Sequence, residues 1–239
     1  MDKKIVVWLK KQVKQAKSRG VVLGLSGGLD SCVSAVLANK ALGKNRVLAL
    51  LLPCHSDKND LKHALLVSRK FGIKTKVIDL TGIYDSLLKV LPAADRMTRA
   101  NLRPRLRMMV LYYFARKLDY LVCGTSNKSE LMTGYFTKHG DGASDILPIG
   151  NLVKSQVRTL ARKLGIPDVV IVKAPTAGLW SGQTDESDMG ITYPELDDIL
   201  LRLGKSRKQV LPGSKVNKVK KLIDNSEHKR RKPAVCGID

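Results

Sequence analysis

The chain has 239 residues, 44% of them hydrophobic and 5% aromatic, and its 43 Lys and Arg against 21 Asp and Glu give a formal net charge of +22. This length supports one sizeable core, and the apolar fraction excludes a disordered chain. No apolar run reaches the ~20 residues of a membrane span, and the start, where Lys alternates with Ile5, Val6, Val7, Trp8 and Leu9, lacks the form of a signal peptide.

Residues 1–19 read instead as an amphipathic N-terminal helix. The run Val21-Val22-Leu23-Gly24-Leu25 is short, wholly apolar and ends in glycines, as a parallel strand buried on both faces does. Residues 31–42 then repeat apolar positions at helical spacing up to Gly43, a stop signal. A second strand is predicted over 47–52, a helix over 60–71 stopped by Gly72, and a third strand over 74–79. Residues 101–118 form a long Arg-rich helix, and 120–124 another short strand. The pattern turns polar over 124–151, resumes as helix over 154–164, and is polar again over 174–192. Helices follow over 193–203 and 215–225, and 205–239 is a basic C-terminal helix and tail.

Strand alternating with helix predicts an α/β fold, a three-layer parallel sheet with helices on both faces and right-handed crossovers, in a single domain over 1–239. Polar stretches as long as 124–151 in a compact domain are generally functional or disordered. Cys32, Cys54, Cys123 and Cys236 include no Cys-x-x-Cys pair, so no zinc or iron–sulfur set is expected, and Cys32 and Cys123 read as small core residues. The basic charge is spread along the chain, with dense groups at 96–107, 215–221 and 229–232. Composition leaves open whether it serves nucleic-acid binding, a polyanionic small substrate, or only a host with a basic proteome.

The most informative segment is Gly24-Leu25-Ser26-Gly27-Gly28-Leu29-Asp30-Ser31, between the first sheet strand and its helix. Glycines let backbone N–H groups approach an anion, and the helix N-terminus adds a positive dipole end. Ser26 and Ser31 supply hydroxyls. Asp30 would repel a bare phosphate but suits a Mg²⁺ that bridges phosphates. The segment lacks the Gly-Lys-Ser/Thr ending of a Walker A loop.

It resembles the pyrophosphate loop of the N-type ATP pyrophosphatases. Further blocks narrow the likeness: Asn101 to Met108 (Asn-Leu-Arg-Pro-Arg-Leu-Arg-Met), Gly124-Thr125-Ser126-Asn127-Lys128-Ser129-Glu130, Gly134 to Asp145, Leu147-Pro148, Lys154, Ala174 to Trp180, Gly182-Gln183-Thr184-Asp185-Glu186, Leu196-Asp197-Asp198 and Glu227-His228-Lys229-Arg230. Together they are similar to the ammonia-dependent NAD synthetases, in order over about residues 21–231. The resemblance implies a cytoplasmic, homodimeric ligase in the last step of NAD biosynthesis. There ATP adenylates the nicotinate carboxylate of deamido-NAD, and ammonia displaces AMP. It implies that Gly24, Leu25, Ser26, Gly27, Gly28, Leu29, Asp30, Ser31, Thr125, Lys154 and Thr176 bind ATP, and that Asp30 and Glu130 hold Mg²⁺. It assigns deamido-NAD to Arg105, Lys138, Asp145, His228 and Lys229, and catalysis to Asp145, Lys138 and Lys154. Asp145 would orient the nicotinate end or help deprotonate ammonium. No room is left for a glutaminase domain, and nucleic acid is not an expected partner despite the charge. Pro104 and Ser144 depart from the usual residues of their blocks without removing an assigned one.

Overall fold

A computed structural model describes residues 1–180, 182–205 and 213–237. Its elements run α1 (Asp2–Gln15), β1 (Gly20–Gly24), α2 (Leu29–Leu42), β2 (Val47–Leu51), α3 (Lys58–Phe71), β3 (Thr75–Val77), α4 (Thr81–Val90), α5 (Arg96–Ala100), α6 (Leu102–Leu118) and β4 (Tyr120–Val122). They continue as α7 (Lys128–Thr133), α8 (Lys154–Leu164), α9 (Asp168–Ile171), α10 (Asp185–Met189), α11 (Tyr193–Lys205), α12 (Ser214–Asn225) and α13 (Glu227–Arg230). Part of the stretch expected as a basic C-terminal helix and tail, 206–212 and 238–239, lies outside the described residues.

The four strands are parallel, in the order β3-β2-β1-β4. Val21 pairs with Val47 on one side and Leu121 on the other, so β1 is central. The period-2 alternation of its apolar residues feeds two cores. Val21 and Leu23 face α1, α2 and α8, where Leu9, Val33, Leu37 and Val157 are buried. Val22, Leu48 and Leu50 face α4 and α6, against Tyr84, Leu106 and Leu111. Burying each such side chain contributes about 1.5–3 kcal/mol. The three-layer expectation therefore holds, and the uniform burial of β1 and β2 explains their unbroken hydrophobicity.

The chain leaves β1 toward β2 on one side and returns through β4 on the other. The crevice outside the carboxyl ends of β1 and β4 is thus a topological switch point, where ligands bind in open α/β sheets. A third apolar cluster, with Val153, Tyr193, Leu196, Leu200 and Val219, packs α11 and α12 beside that crevice. Pro104 stands in the first turn of α6, where no intrahelical N–H is lost, so the helix runs unbroken. No helix among the described residues is long and apolar enough to cross a membrane.

Candidate active site

The β1–α2 turn forms the floor of a cavity of about 630 Å³. Gly27 takes φ +82°, and a Cβ there would lie 2.1 Å from the Asp60 carbonyl oxygen, so the close turn needs glycine. The Ser31 hydroxyl accepts the Ser26 N–H at 3.2 Å and donates to the Gly28 carbonyl at 3.0 Å. The Gly28 N–H donates to Ser26 Oγ at 3.2 Å. These bonds fold the loop tightly over the start of α2, whose N-cap, Gly28, contributes no side-chain acceptor. Its first N–H groups and dipole are therefore presented to an anion.

Three ionic side chains meet above this turn. Lys154 Nζ lies 2.5 Å from Asp30 Oδ2 and 3.2 Å from Glu130 Oε1. Asn127 Nδ2 donates to Asp30 Oδ1 at 3.0 Å and orients that carboxylate. Asn127 also caps α7, accepting the Glu130 N–H while Glu130 Oε2 accepts the Asn127 N–H. The capping box thus sets the position of Glu130. Burial pushes the Glu130 carboxyl upward, with Asp30 and Asp185 adding to the effect and Lys154 opposing it. Burial works against the Lys154 ammonium, yet Asp30 and Glu130 hold it protonated well above the usual range. Among the described residues no cluster of three His, Cys, Asp or Glu side chains is spaced to hold a metal. Two converging carboxylates nonetheless suit a Mg²⁺ whose other ligands are water and phosphate oxygens.

The backbone around Lys154 is fixed by residues that the sequence reading left without a role. Asp197, on α11 and buried, accepts the Ser129 hydroxyl and the Ser155 N–H, while Ser129 Oγ accepts the Lys154 N–H at 3.1 Å. Lys154 also lies 5.0 Å from the Tyr193 ring centroid. Asp185 accepts the Tyr193 hydroxyl at 2.9 Å, and its other carboxylate oxygen is buried without a partner.

Gly24, Leu25, Ser26, Gly28, Leu29, Asp30 and Ser31, with Thr125, Glu130, Lys154, Thr176 and Lys229, line this cavity. Lys229 is fixed there by the Gly134 and Phe136 carbonyls at 2.8 and 3.0 Å. Arg105, Lys138, Asp145 and His228 lie outside it. Lys138 Nζ donates to the His228 carbonyl at 2.8 Å, and Arg105 Nε to the Lys138 carbonyl at 3.3 Å, which makes those three one outer group. Asp145 is tied to the Val122 N–H at 2.7 Å and the Tyr112 hydroxyl at 3.2 Å.

Inside the cavity stand three groups that the sequence reading did not single out. Arg107 is enclosed, donating to the Leu52 carbonyl and Ser56 Oγ, and burial holds it below the usual guanidinium range. Asp141 faces the cavity and accepts the Thr137 N–H at 2.9 Å. The side chain is exposed to the open cavity, yet desolvation by the cavity wall pushes its carboxyl upward, against the Thr137 N–H and the charges of Arg107 and Lys229. Lys173 pairs with Asp60 at the border of an adjoining basic cavity of about 660 Å³ walled by Arg96, Arg99, Arg103, Tyr84 and Trp180. Arg107 was quoted within its motif block, but burial, the signal that marks it, is not written in one sequence.

A family model described as NAD synthase matches residues 1–233. The chain is 46% identical, over 96% of its length and 94% of the other protein's, to the NH(3)-dependent NAD(+) synthetase of Thermococcus sibiricus. Among solved structures it is similar to the NMN synthetase of Francisella tularensis, with TM-score 0.90 and 38% identity over 99% of this chain and 97% of that one. It is also similar to the NH3-dependent NAD synthetase of Campylobacter jejuni in complex with nitrate, with TM-score 0.85 and 32% identity over 99% and 97%.

Proposed function

The chain belongs to the NAD synthase family, and we propose that it converts deamido-NAD, ATP and ammonia to NAD, AMP and diphosphate. One observation carries the reading: Asp30, Glu130 and Lys154 converge over an anion-binding loop at the sheet's switch point. The nicotinate carboxylate attacks the α-phosphorus of ATP, and the bond from that phosphorus to the bridging oxygen breaks. Charge accumulates on the departing diphosphate. The α2 N-terminus and the loop N–H groups face it without reorganisation, and the Lys154 ammonium supplies a positive charge within reach of the phosphates. Asp30 and Glu130 are the residues that would hold Mg²⁺, which, when bound, would polarise the phosphate oxygens.

Ammonia then forms the C–N bond as the acyl–oxygen bond breaks, and AMP leaves with the electron pair. The nitrogen must shed a proton. Asp141 faces the cavity and its carboxyl is pushed above the usual carboxylate range, which makes it a stronger proton acceptor than an ordinary aspartate. Asp145, held outside by Val122 and Tyr112, suits binding of the far part of the dinucleotide together with Arg105, Lys138 and His228. Arg105 and Tyr112 are seven residues apart on α6, hence on one face, and Met109 between them is 68% exposed. That face supports a homodimer whose interface lies beside the dinucleotide, which light scattering tests.

The likeness to the Francisella NMN synthetase favours a second reading, in which the same amidation acts on nicotinate mononucleotide. Steady-state assays with ATP, Mg²⁺ and ammonium distinguish the two. Higher kcat/KM with deamido-NAD supports the first reading, a preference for the mononucleotide replaces it with the second, and no diphosphate release with either refutes both.

A further inference from the structure

Lys154 stands where a divalent cation between Asp30 and Glu130 would have to be. Its Nζ lies 2.5 Å from Asp30 Oδ2 and 3.2 Å from Glu130 Oε1, and the side chain is 5% exposed. An ammonium on one oxygen of each carboxylate occupies the oxygens that a Mg²⁺ held by Asp30 and Glu130 would need. The backbone cannot carry Lys154 away, because its N–H is fixed to Ser129 Oγ and α8 begins there. The side chain can move, since its four-carbon stem is flexible and its point charge accepts many geometries.

We propose that Lys154 is an internal stand-in for the metal: it neutralises Asp30 and Glu130 in the free protein and yields to the cation only when nucleotide phosphates give its ammonium a new partner. The inference rests on Asp30 and Glu130 being the metal ligands. Charge balance gives the order of events. Asp30, Glu130 and Asp185 together face a single ammonium, and that cation is already committed to the first two. Adding Mg²⁺ beside an unmoved Lys154 sets two cations against each other in a poorly hydrated space, where their repulsion is strong. Removing Lys154 with no anion to receive it strands a charge. A triphosphate on the β1–α2 loop solves both problems, because its oxygens accept the ammonium and also complete the metal's coordination. Metal and nucleotide then bind with positive coupling that Lys154 creates, and coupling of that kind is reciprocal. One consequence is that metal without nucleotide does not occupy the site.

The test is Mn²⁺ binding to the full chain, followed by electron paramagnetic resonance. Without nucleotide, wild type and Lys154→Arg should bind Mn²⁺ at this site weakly, and Lys154→Met at least tenfold more tightly. Adding Asp30→Asn to Lys154→Met should abolish the gain. With a non-cleavable α,β-methylene ATP analogue, wild type should hold Mn²⁺ in a ternary complex. Wild-type binding of Mn²⁺ alone as tight as that of Lys154→Met overturns the stand-in while leaving the metal site intact. Absence of Mn²⁺ from wild type even with the analogue overturns the metal reading, and the stand-in with it. Wild-type crystals give the same answer if the Met variant fails to fold. Mn²⁺ alone should leave no anomalous peak between Asp30 and Glu130, whereas Mn²⁺ with the analogue should give one, with Lys154 withdrawn from Asp30. A peak with Mn²⁺ alone refutes the inference.

Discussion

Asp197 accepts the Ser129 hydroxyl at 2.6 Å, and through this bond α11 ties the start of α7 to the start of α8. The tie fixes both Glu130 and Lys154, although Asp197 does not line the cavity. Its truncation leaves the buried Ser129 hydroxyl without its acceptor, at about 1–3 kcal/mol, and the part-buried Ser155 N–H without its partner as well. Asp197→Ala should therefore lower stability in urea by about 3 kcal/mol, and Asp197→Asn, which keeps one acceptor oxygen, by less than half of that. A displacement of even about 1 Å in the backbone that carries Glu130 and Lys154 is expected to cost about a hundredfold in kcat. Full activity of Asp197→Ala at a temperature where it stays folded would show that the tie is only structural.

Gly27 is the loop position least able to accept a side chain. Its φ of +82° strains any other residue by about 1–3 kcal/mol, and a Cβ would strike the Asp60 backbone oxygen rather than a yielding side chain. Gly27→Ala should open the β1–α2 turn and weaken ATP binding more than tenfold in calorimetry, while deamido-NAD binding, proposed to rest on Arg105, Lys138 and His228, persists. Unaltered ATP affinity would mean that the loop's curvature is not what holds the phosphates.

Much of this site is legible in the sequence, because its backbone parts are local. The loop from Gly24 to Ser31 declares itself by composition, and the strand runs over 21–25 and 47–52 fall within one residue of β1 and β2. β3 is shorter than the 74–79 expected, since it is an edge strand whose Lys76 and Val77 face solvent. The reading passed over α4 and α5, where Pro92 and a turn separate two short helices, and α7, six polar-biased residues held by the Asn127 capping box. What one sequence does not carry is which distant polar groups meet. Asp197 finds Ser129 across 68 residues and Lys154 finds Asp30 across 124, while Asp141 and Asp145 look alike until the fold sets one of them on the cavity wall.

Asp141 and Asp145 should separate cleanly in kinetics. If Asp141 takes the proton from the attacking nitrogen, Asp141→Asn keeps a first turnover of diphosphate release and loses amide formation by about 10²–10⁴-fold, the range of general-base catalysis. Because its carboxyl is raised, the wild-type rate should climb as pH rises through the ionisation of Asp141, and that limb should vanish in the variant. Asp145→Asn should instead raise KM for deamido-NAD with kcat little changed. The reverse assignment of these two phenotypes would return the base to Asp145.

Acid should loosen the N-terminal helix before the site. Asp2, in the first turn of α1, accepts Lys163 Nζ of α8 at 2.8 Å and lies 3.5 Å from Lys40 Nζ of α2, so one carboxylate joins three helices. The Lys163 hydrogen bond, followed by the charge of Lys163 and contacts from Lys3 and Lys40, holds the Asp2 carboxyl far below its ordinary 3.8. The sign follows from linkage. A depressed folded-state pKa gives stability that is present above the unfolded value and lost as pH falls through the folded one. Wild type should thus lose thermal stability progressively below pH 3.8. Asp2→Asn should melt lower than wild type at pH 7, and the gap should close as the pH is lowered into that window. Lys163→Met should reproduce the neutral-pH deficit and share the flattened acid limb, since it removes the group chiefly responsible for the shift. A constant gap between Asp2→Asn and wild type down to pH 2 would mean that the carboxylate's charge contributes nothing and only its shape matters.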